Sequence, residues 1–415
     1  MIAEDGVLGG SKGVVVFPQN AGPWLTVLGK LWTPVIWVFL GALMLSLLGT
    51  PLFRWVAMRK GIWDKPDEAV KIHRVPIPYL GGCAIWLAWT VVVVVYCLVR
   101  GDFDWRAVAA LVGGGVVAFV VGLVDDLRDI KPRTKLLGQA LAGAVLLAGG
   151  IMWFAYPSIY DVPLFGFGED SWFVLVTCLA IHFLVVLGAT NATNLLDGLD
   201  GLCSGVTAII SVGFLLLATA LTAWAIYEPS ARAVKYEYAD LVMVVSFALA
   251  GAVIGFLPYN FNPARIFMGD AGSVFIGYVL AAMMIMFASK FGMVKWFVGA
   301  LFIFGVPIFD TGVAVIRRVV NRRSIMMPDR SHLYNQLVDR LGLSVRTTVG
   351  ILYALSALFG GAGLIVLYLP GRMAAVIYVV VGAAFVLLVW RMGFLRMTPQ
   401  EKEAADRYLA RKRGG

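Results

Sequence analysis

AGSVFIGYVLAAMMIMFAS, residues Ala271–Ser289, runs nineteen residues without a charged side chain. A helix of that length covers about 29 Å, the thickness of a bilayer's hydrocarbon core. Ten more runs of this kind occur, at roughly 31–53, 79–99, 107–124, 136–156, 171–190, 203–225, 238–257, 294–316, 347–369 and 372–390. They are continuously apolar rather than alternating, which excludes a closed β-barrel. The composition agrees: 60% of the 415 residues are hydrophobic and only 14% are charged, where a soluble domain carries about a quarter. The expected fold is all-α, a polytopic integral membrane protein of about eleven transmembrane helices.

No linker divides the runs. The expected organisation is an N-terminal tail over 1–30, one transmembrane domain over 31–391 and a basic tail over 392–415. The N-terminus shows no basic region, short apolar core and cleavage site, so no cleaved signal peptide is expected. With eleven spans, the loops after the odd-numbered runs and the C-terminal tail share one side, and that side holds 25 of the 34 Lys and Arg. The positive-inside rule then puts the C-terminus in the cytoplasm and the N-terminus outside. It also accounts for the net charge of +9 without nucleic acid, and no base-reading module occurs. Cys83, Cys97, Cys178 and Cys203 have no metal-ligand spacing and read as small buried side chains.

Charges are costly near a bilayer, yet acids collect on the side assigned to the cytoplasm. In GLVDDLRDIKPRTK, Gly122–Lys135, the adjacent Asp125 and Asp126 repel one another, which a nearby cation would relieve. A raised pKa would suit one of them as a general base. In NATNLLDGLDGL, Asn191–Leu202, Asp197 and Asp200 would share a face if helical, and glycines beside them permit close backbone approach. That loop has no Lys or Arg, so its countercharge must come from a metal or a distant basic loop. In YNFNPARIFMGDAGS, Tyr259–Ser273, Asp270 opens a span, Phe267 offers a face for a planar ring, and Asn260 and Asn262 offer amides. Asp270 reads equally as a helix N-cap. Two further stretches are basic: DKPDEAVKIHRVPIPYLGG, Asp64–Gly82, and the long loop Arg317–Ser344 with His332. Hard oxygen ligands favour Mg²⁺ or Mn²⁺ bridging to substrate phosphates. Together the five stretches form a phosphoryl-transfer constellation.

In this order the stretches resemble the polyprenyl-phosphate N-acetylhexosamine-1-phosphate transferases, which include the phospho-N-acetylmuramoyl-pentapeptide and undecaprenyl-phosphate GlcNAc-1-phosphate transferases. The similarity runs from about Asp64 to Ser344, and its most specific elements are VDDLRDI, NATNLLDGLDGL and FNPARIFMGDAGS. Eleven spans with an outside N-terminus look more like the GlcNAc-1-phosphate branch. The resemblance implies transfer of a sugar-1-phosphate, GlcNAc-1-phosphate first, from a UDP-N-acetylhexosamine to undecaprenyl phosphate with release of UMP. It implies a Mg²⁺ or Mn²⁺ requirement, a multi-pass protein of the bacterial inner membrane with its active site facing the cytoplasm, and a homodimer. By motif position, Asp125 is the candidate base on the prenyl phosphate and Asp126 its partner. Asp270 is the principal metal ligand, with Asp197 beside it. Asn194, Gly198, Leu199, Asp200, Asn260 and Phe267 match the uridine pocket, with Phe267 stacking on uracil. Lys71 and His73 match the basic loop that approaches the phosphates, and Arg330 of the fifth stretch is expected to bind substrate by supplying the positive charge that the missing histidines would carry.

One departure stands out. The family's fifth stretch carries several histidines in an H-x-H-H pattern, whereas this chain reads SHLYNQL. His332 keeps the first position and is the fourth expected catalytic residue, while Tyr334 and Asn335 stand at the later ones. Asp310, in VPIFDTG, is an intramembrane acid that either orients this loop or is a buried structural partner. The main rival reading is an ion-coupled transporter, but transporter sites lie near the midplane on broken helices. Here the acids gather at one face.

Overall fold

The computed structural model describes residues 28–64, 75–152, 172–227, 238–288, 294–323, 330–398 and 402–403. Each of the eleven apolar runs contains a helix. They are α1 (Ile36–Lys60), α2 (Gly81–Arg100), α3 (Trp105–Arg128), α4 (Pro132–Ala148), α5 (Trp172–Leu196), α6 (Leu202–Tyr227), α7 (Ala239–Asn260), α8 (Gly269–Ala288), the pair α9 (Val294–Ile303) and α10 (Gly305–Val320), then α12 (Val345–Leu364) and α13 (Gly371–Arg391). Between α10 and α12 lies the short α11 (Leu333–Asp339). The fold is all-α and multi-pass.

Among the described residues nine helices are long and apolar enough to cross a bilayer unaided, and the α9–α10 pair makes a tenth bent by 71°. The run expected over 294–316 as one span is thus broken at Phe304. Pro307 has no N–H to give the Ile303 carbonyl, so the helical ladder cannot continue through the break. The run expected over 136–156 starts earlier, at Pro132, and ends at Ala148. Gly149 and Gly150 follow, the latter left-handed at φ +85°, the usual device for stopping a helix. Its 17 residues are at the short end of what a crossing needs.

The opening stretch of the sequence, now α8, is the axis of the bundle. Every residue from Ala271 to Ala288 is buried. It packs on α3, α5 and α2, with α4, α6, α7 and α9 completing its surroundings. Two glycines permit this crowding at its start: a Cβ on Gly82 would lie 2.2 Å from the Gly272 nitrogen, and one on Gly122 would lie 2.2 Å from the Asp270 carbonyl oxygen. Outer helices keep apolar surface exposed, as at Leu48, Val379 and Trp390, where lipid replaces protein contact. The described strands are two short ones, β1 (Trp63–Asp64) and β2 (Ile77–Pro78), paired antiparallel. Phe267 extends this pairing, donating its N–H to Pro78 O at 3.0 Å and bridging to Tyr79.

Candidate active site

One open cavity of about 820 Å³ is lined by residues from all five polar stretches. Asp64, Ile77 and Tyr79 come from the first and Asp125, Asp126 and Asp129 from the second. Asp197, Gly198, Leu199 and Asp200 come from the third. Asn260, Asn262, Ala264, Phe267 and Asp270 belong to the fourth, and Tyr334 and Asn335 to the fifth.

The acidic pair ends α3, and its two members do different work. Asp126 is consumed by capping α8: its Oδ1 accepts the Asp270 N–H at 2.8 Å and its Oδ2 accepts the Ala271 N–H at 2.9 Å. The cap of α8 therefore comes from a neighbouring helix and not from Asp270, which leaves the Asp270 carboxylate for other partners. Asp125 accepts the Ile130 N–H through Oδ1 at 3.0 Å and pairs through Oδ2 with Lys135 Nζ at 2.8 Å. Lys135 also bonds Asp270 Oδ2 and, at 3.3 Å, Asn194 Oδ1. Asn194 Nδ2 donates to Asp270 Oδ1 at 2.8 Å and to Ser273 Oγ at 2.9 Å. Lys135 is thus the cation that separates the two facing acids. Sequence reasoning quoted it within the second stretch without assigning it a role. The available signal was its place as the last of three basic residues, Lys131, Arg133 and Lys135, at the mouth of an apolar run, where charge is expensive.

Asp197 and Asp200 do not share a helical face. Helix α5 ends at Leu196, and Gly198 and Gly201, the latter at φ +78°, turn the chain into α6. Gly198 is needed for a close approach by the protein's own Tyr334: a Cβ there would lie 2.0 Å from the Tyr334 hydroxyl oxygen. Asp200 turns to the fourth stretch, its Oδ2 accepting from Asn262 Nδ2 and the Ala264 N–H, both at 2.9 Å. Asp197 lines the cavity, and no described residue donates to its carboxylate. Desolvation raises that carboxyl well above the usual range, and the negative fields of Asp270, Asp126 and Asp200 raise it further.

The expected nucleotide residues Gly198, Leu199, Asp200, Asn260 and Phe267 all line the cavity. Leu199 and Asn260 are buried. Asn260 is an internal strut, with Oδ1 accepting from Ser204 Oγ at 2.7 Å and the Gly201 N–H at 3.2 Å, and Nδ2 donating to Ile266 O at 3.2 Å. Phe267 lines the cavity and its backbone is fixed on both sides, since its carbonyl also accepts the Gly81 N–H at 2.9 Å. Tyr79 donates to Asp126 O at 2.6 Å. Burial, with Asp126, Asp64 and Asp270 nearby, raises its phenol and keeps it a donor.

His332 and Arg330 do not line the cavity. His332 is buried, its Nδ1 2.7 Å from Asp310 Oδ2, while Asp310 Oδ1 accepts the Leu333 N–H at 2.7 Å. Asp310 therefore does orient the fifth loop. Arg330 forms a two-pronged pair with Asp339, both contacts 2.7 Å. Tyr334 and Asn335 reach the cavity instead, and Tyr334 is anchored by donating to Leu195 O at 3.1 Å. Lys71 and His73 lie outside the described residues.

The donor set suits a hard divalent cation: Asp125, Asp197 and Asp270 offer only oxygen, and among the described residues no cation pairs with Asp197. Among the described residues no three His, Cys, Asp or Glu side chains stand close enough to form a complete cage. A Mg²⁺ ion held by one or two carboxylates would need water and substrate phosphates as its other ligands.

The family model described as glycosyl transferase family 4 matches residues 108–288. A Bacillus subtilis protein named as a probable undecaprenyl-phosphate N-acetylglucosaminyl 1-phosphate transferase is 29% identical over 356 residues, covering 86% of this chain and 90% of its own. The decaprenyl-phosphate N-acetylglucosaminephosphotransferase of Mycobacterium tuberculosis is 31% identical, covering 86% of this chain and 89% of its own. The phospho-N-acetylmuramoyl-pentapeptide-transferase of Cutibacterium acnes is 30% identical, covering 74% of this chain and 94% of its own.

Proposed function

Because the chain belongs to glycosyl transferase family 4, we propose that it transfers N-acetylglucosamine-1-phosphate from UDP-GlcNAc to a polyprenyl phosphate, undecaprenyl phosphate first, and releases UMP. The observation that carries this reading is the meeting of Asp125, Asp126, Asp197 and Asp270, from three separate stretches, around one cavity that also holds Phe267. The relatives whose names specify N-acetylglucosamine supply the choice of sugar.

An oxygen of the prenyl phosphate attacks the β-phosphorus, which bears the sugar. A new P–O bond forms there, the bond from the β-phosphorus to the bridging oxygen breaks, and UMP departs with that oxygen. The attacking phosphate is already largely ionised near neutral pH, so the chemistry needs positioning and charge neutralisation more than a strong base. Asp125 would orient the acceptor phosphate and take its remaining proton. Asp270 and Asp197 would hold Mg²⁺ or Mn²⁺, which when bound neutralises the diphosphate and improves UMP as a leaving group. Lys135 and Asn194 fix the Asp270 carboxylate. Phe267 stacks on uracil, and Tyr334 and Asn335 face the donor's sugar. The cavity opens to the cytoplasm of a bacterial inner membrane, and the protein acts as a homodimer.

The test incubates purified protein with Mg²⁺, undecaprenyl phosphate and, separately, UDP-GlcNAc, UDP-GalNAc and UDP-MurNAc-pentapeptide, and follows UMP. Release from UDP-GlcNAc, lost in Asp270→Asn and on chelation, is the expected result. Release only from another donor would overturn the sugar assignment. Folded protein that releases UMP from none would overturn the reaction.

A further inference from the structure

Helices α4 and α5 run in opposite directions, and their interface carries a ladder of polar contacts leading from the cavity into the bundle. Lys135, Gln139 and Gly143 recur every four residues and so lie along one face of α4. They meet, in turn, Asn194, Asn191 and His182 of α5. The first rung is Lys135 Nζ to Asn194 Oδ1 at 3.3 Å. In the second, Asn191 Nδ2 donates to Gln139 Oε1 at 2.8 Å. In the third, His182 Nε2 donates to Gly143 O at 2.9 Å. Only the first rung touches the acids of the site.

The second rung is poorly explained as a source of stability. Gln139 is wholly buried, and its Nε2 finds no hydrogen-bond partner among the described residues. A buried donor left unsatisfied is costly, and replacing both members of such a pair with apolar groups can be neutral or stabilising. Hydrogen bonds between helices in a membrane return little net stability on average. What the pair does supply is register. Gln139 lies one turn from Lys135, and Asn191 lies just under one turn from Asn194. Slipping either helix by one turn would displace its end of the ladder by about 5.4 Å. Lys135 and Asn194 are the two side chains that hold Asp270 from α4 and α5.

We propose that Gln139 and Asn191 are positioning residues for the transfer reaction, locking α4 against α5 in the register that brings Lys135 and Asn194 together on Asp270. The catalytic part of this inference rests on the function proposed above, while the register itself can be read without turnover. Three proteins are compared: the wild type, Gln139→Leu with Asn191→Leu, and the exchange Gln139→Asn with Asn191→Gln, which keeps the summed length of the two amides. Each is measured for kcat and KM in UMP release, for thermal unfolding in detergent, and for the distance between spin labels at the exposed Leu137 and Leu184.

The leucine pair is expected to melt no lower than the wild type. Its label-to-label distance broadens or shifts. Its kcat falls about ten- to a hundredfold, the scale of a misplacement near 1 Å, with KM for the donor within about threefold. The exchange restores the distance and most of kcat. An unchanged distance in the leucine pair, an unchanged kcat, or a loss that simply follows a lower melting temperature would each overturn the proposal, as would failure of the exchange to rescue. If the wild type releases no UMP, the functional reading falls, and the label distances still decide whether this pair sets the register.

Discussion

Gly122→Ala tests the reading of the α3–α8 junction with a single methyl group. Gly122 and Asp126 are four residues apart on α3 and so lie on one face, against the first turn of α8. The added Cβ would come 2.2 Å from the Asp270 carbonyl oxygen and 2.7 Å from Ala271 Cα, where ordinary contact begins at 3.4 Å. Both obstacles are backbone, so no side-chain rotation relieves them, and the helices must part by about 1 Å. The bonds from the Asp270 and Ala271 N–H groups to Asp126, now 2.8 and 2.9 Å, would then lie beyond hydrogen-bonding range.

Two consequences follow for Gly122→Ala. Loss of charge-assisted bonds to buried amides, together with overpacking, costs about 2–4 kcal/mol of stability. A 1 Å displacement of the Asp270 carboxylate lowers kcat about a hundredfold. The assay is initial-rate UMP release at saturating donor and acceptor, with thermal unfolding in the same detergent. Gly113→Ala on the same helix is the control, since its Cβ would rest 3.6 Å from Val145 Cγ1, an ordinary contact. A Gly122→Ala protein with wild-type kcat would refute the reasoning, and so would a Gly113→Ala protein damaged equally.

Three other outcomes are expected. Asp126→Ala strips α8 of both cap acceptors and lowers stability by about 1–2 kcal/mol, while Asp126→Asn keeps one acceptor and loses about half as much, measured by thermal unfolding. Asp310→Leu leaves the Leu333 N–H and His332 Nδ1 without their buried partner and costs about 3 kcal/mol or more, whereas Asp310→Asn keeps an acceptor and a milder defect. Asp197→Asn abolishes transfer yet stabilises the metal-free protein. The Asp197 carboxyl is raised in the folded state, so the fold holds its proton more tightly than the unfolded chain does and loses stability as pH rises. The variant's gain in melting temperature should therefore be largest at pH 8 and shrink toward pH 4; a gain independent of pH would contradict this account.

Membrane insertion, the helical class and the five polar stretches were all legible in the sequence, because length and hydropathy act locally along the chain. Eleven runs became eleven helical regions, one of them broken where Pro307 removes a donor. The acids of the site could likewise be named from the chain, since a carboxylate beside an apolar run is costly enough to demand a reason.

What each acid does was settled only by the packing. Asp125 and Asp126 are neighbours of identical chemistry, yet one meets Lys135 and the other caps a distant helix. Asp197 and Asp200 part because two glycines end the helix that would have aligned them. His332 carried the sequence expectation, but the turn into α11 buries it on Asp310 and sends Tyr334 and Asn335 to the cavity. Lys135 drew no assignment because two of its three partners, Asn194 and Asp270, lie 59 and 135 residues away. Residue type and hydropathy are properties of the chain, whereas a carboxylate's partner is set by whichever donor the fold delivers within 3 Å of it, and that distance is a property of the packed bundle alone.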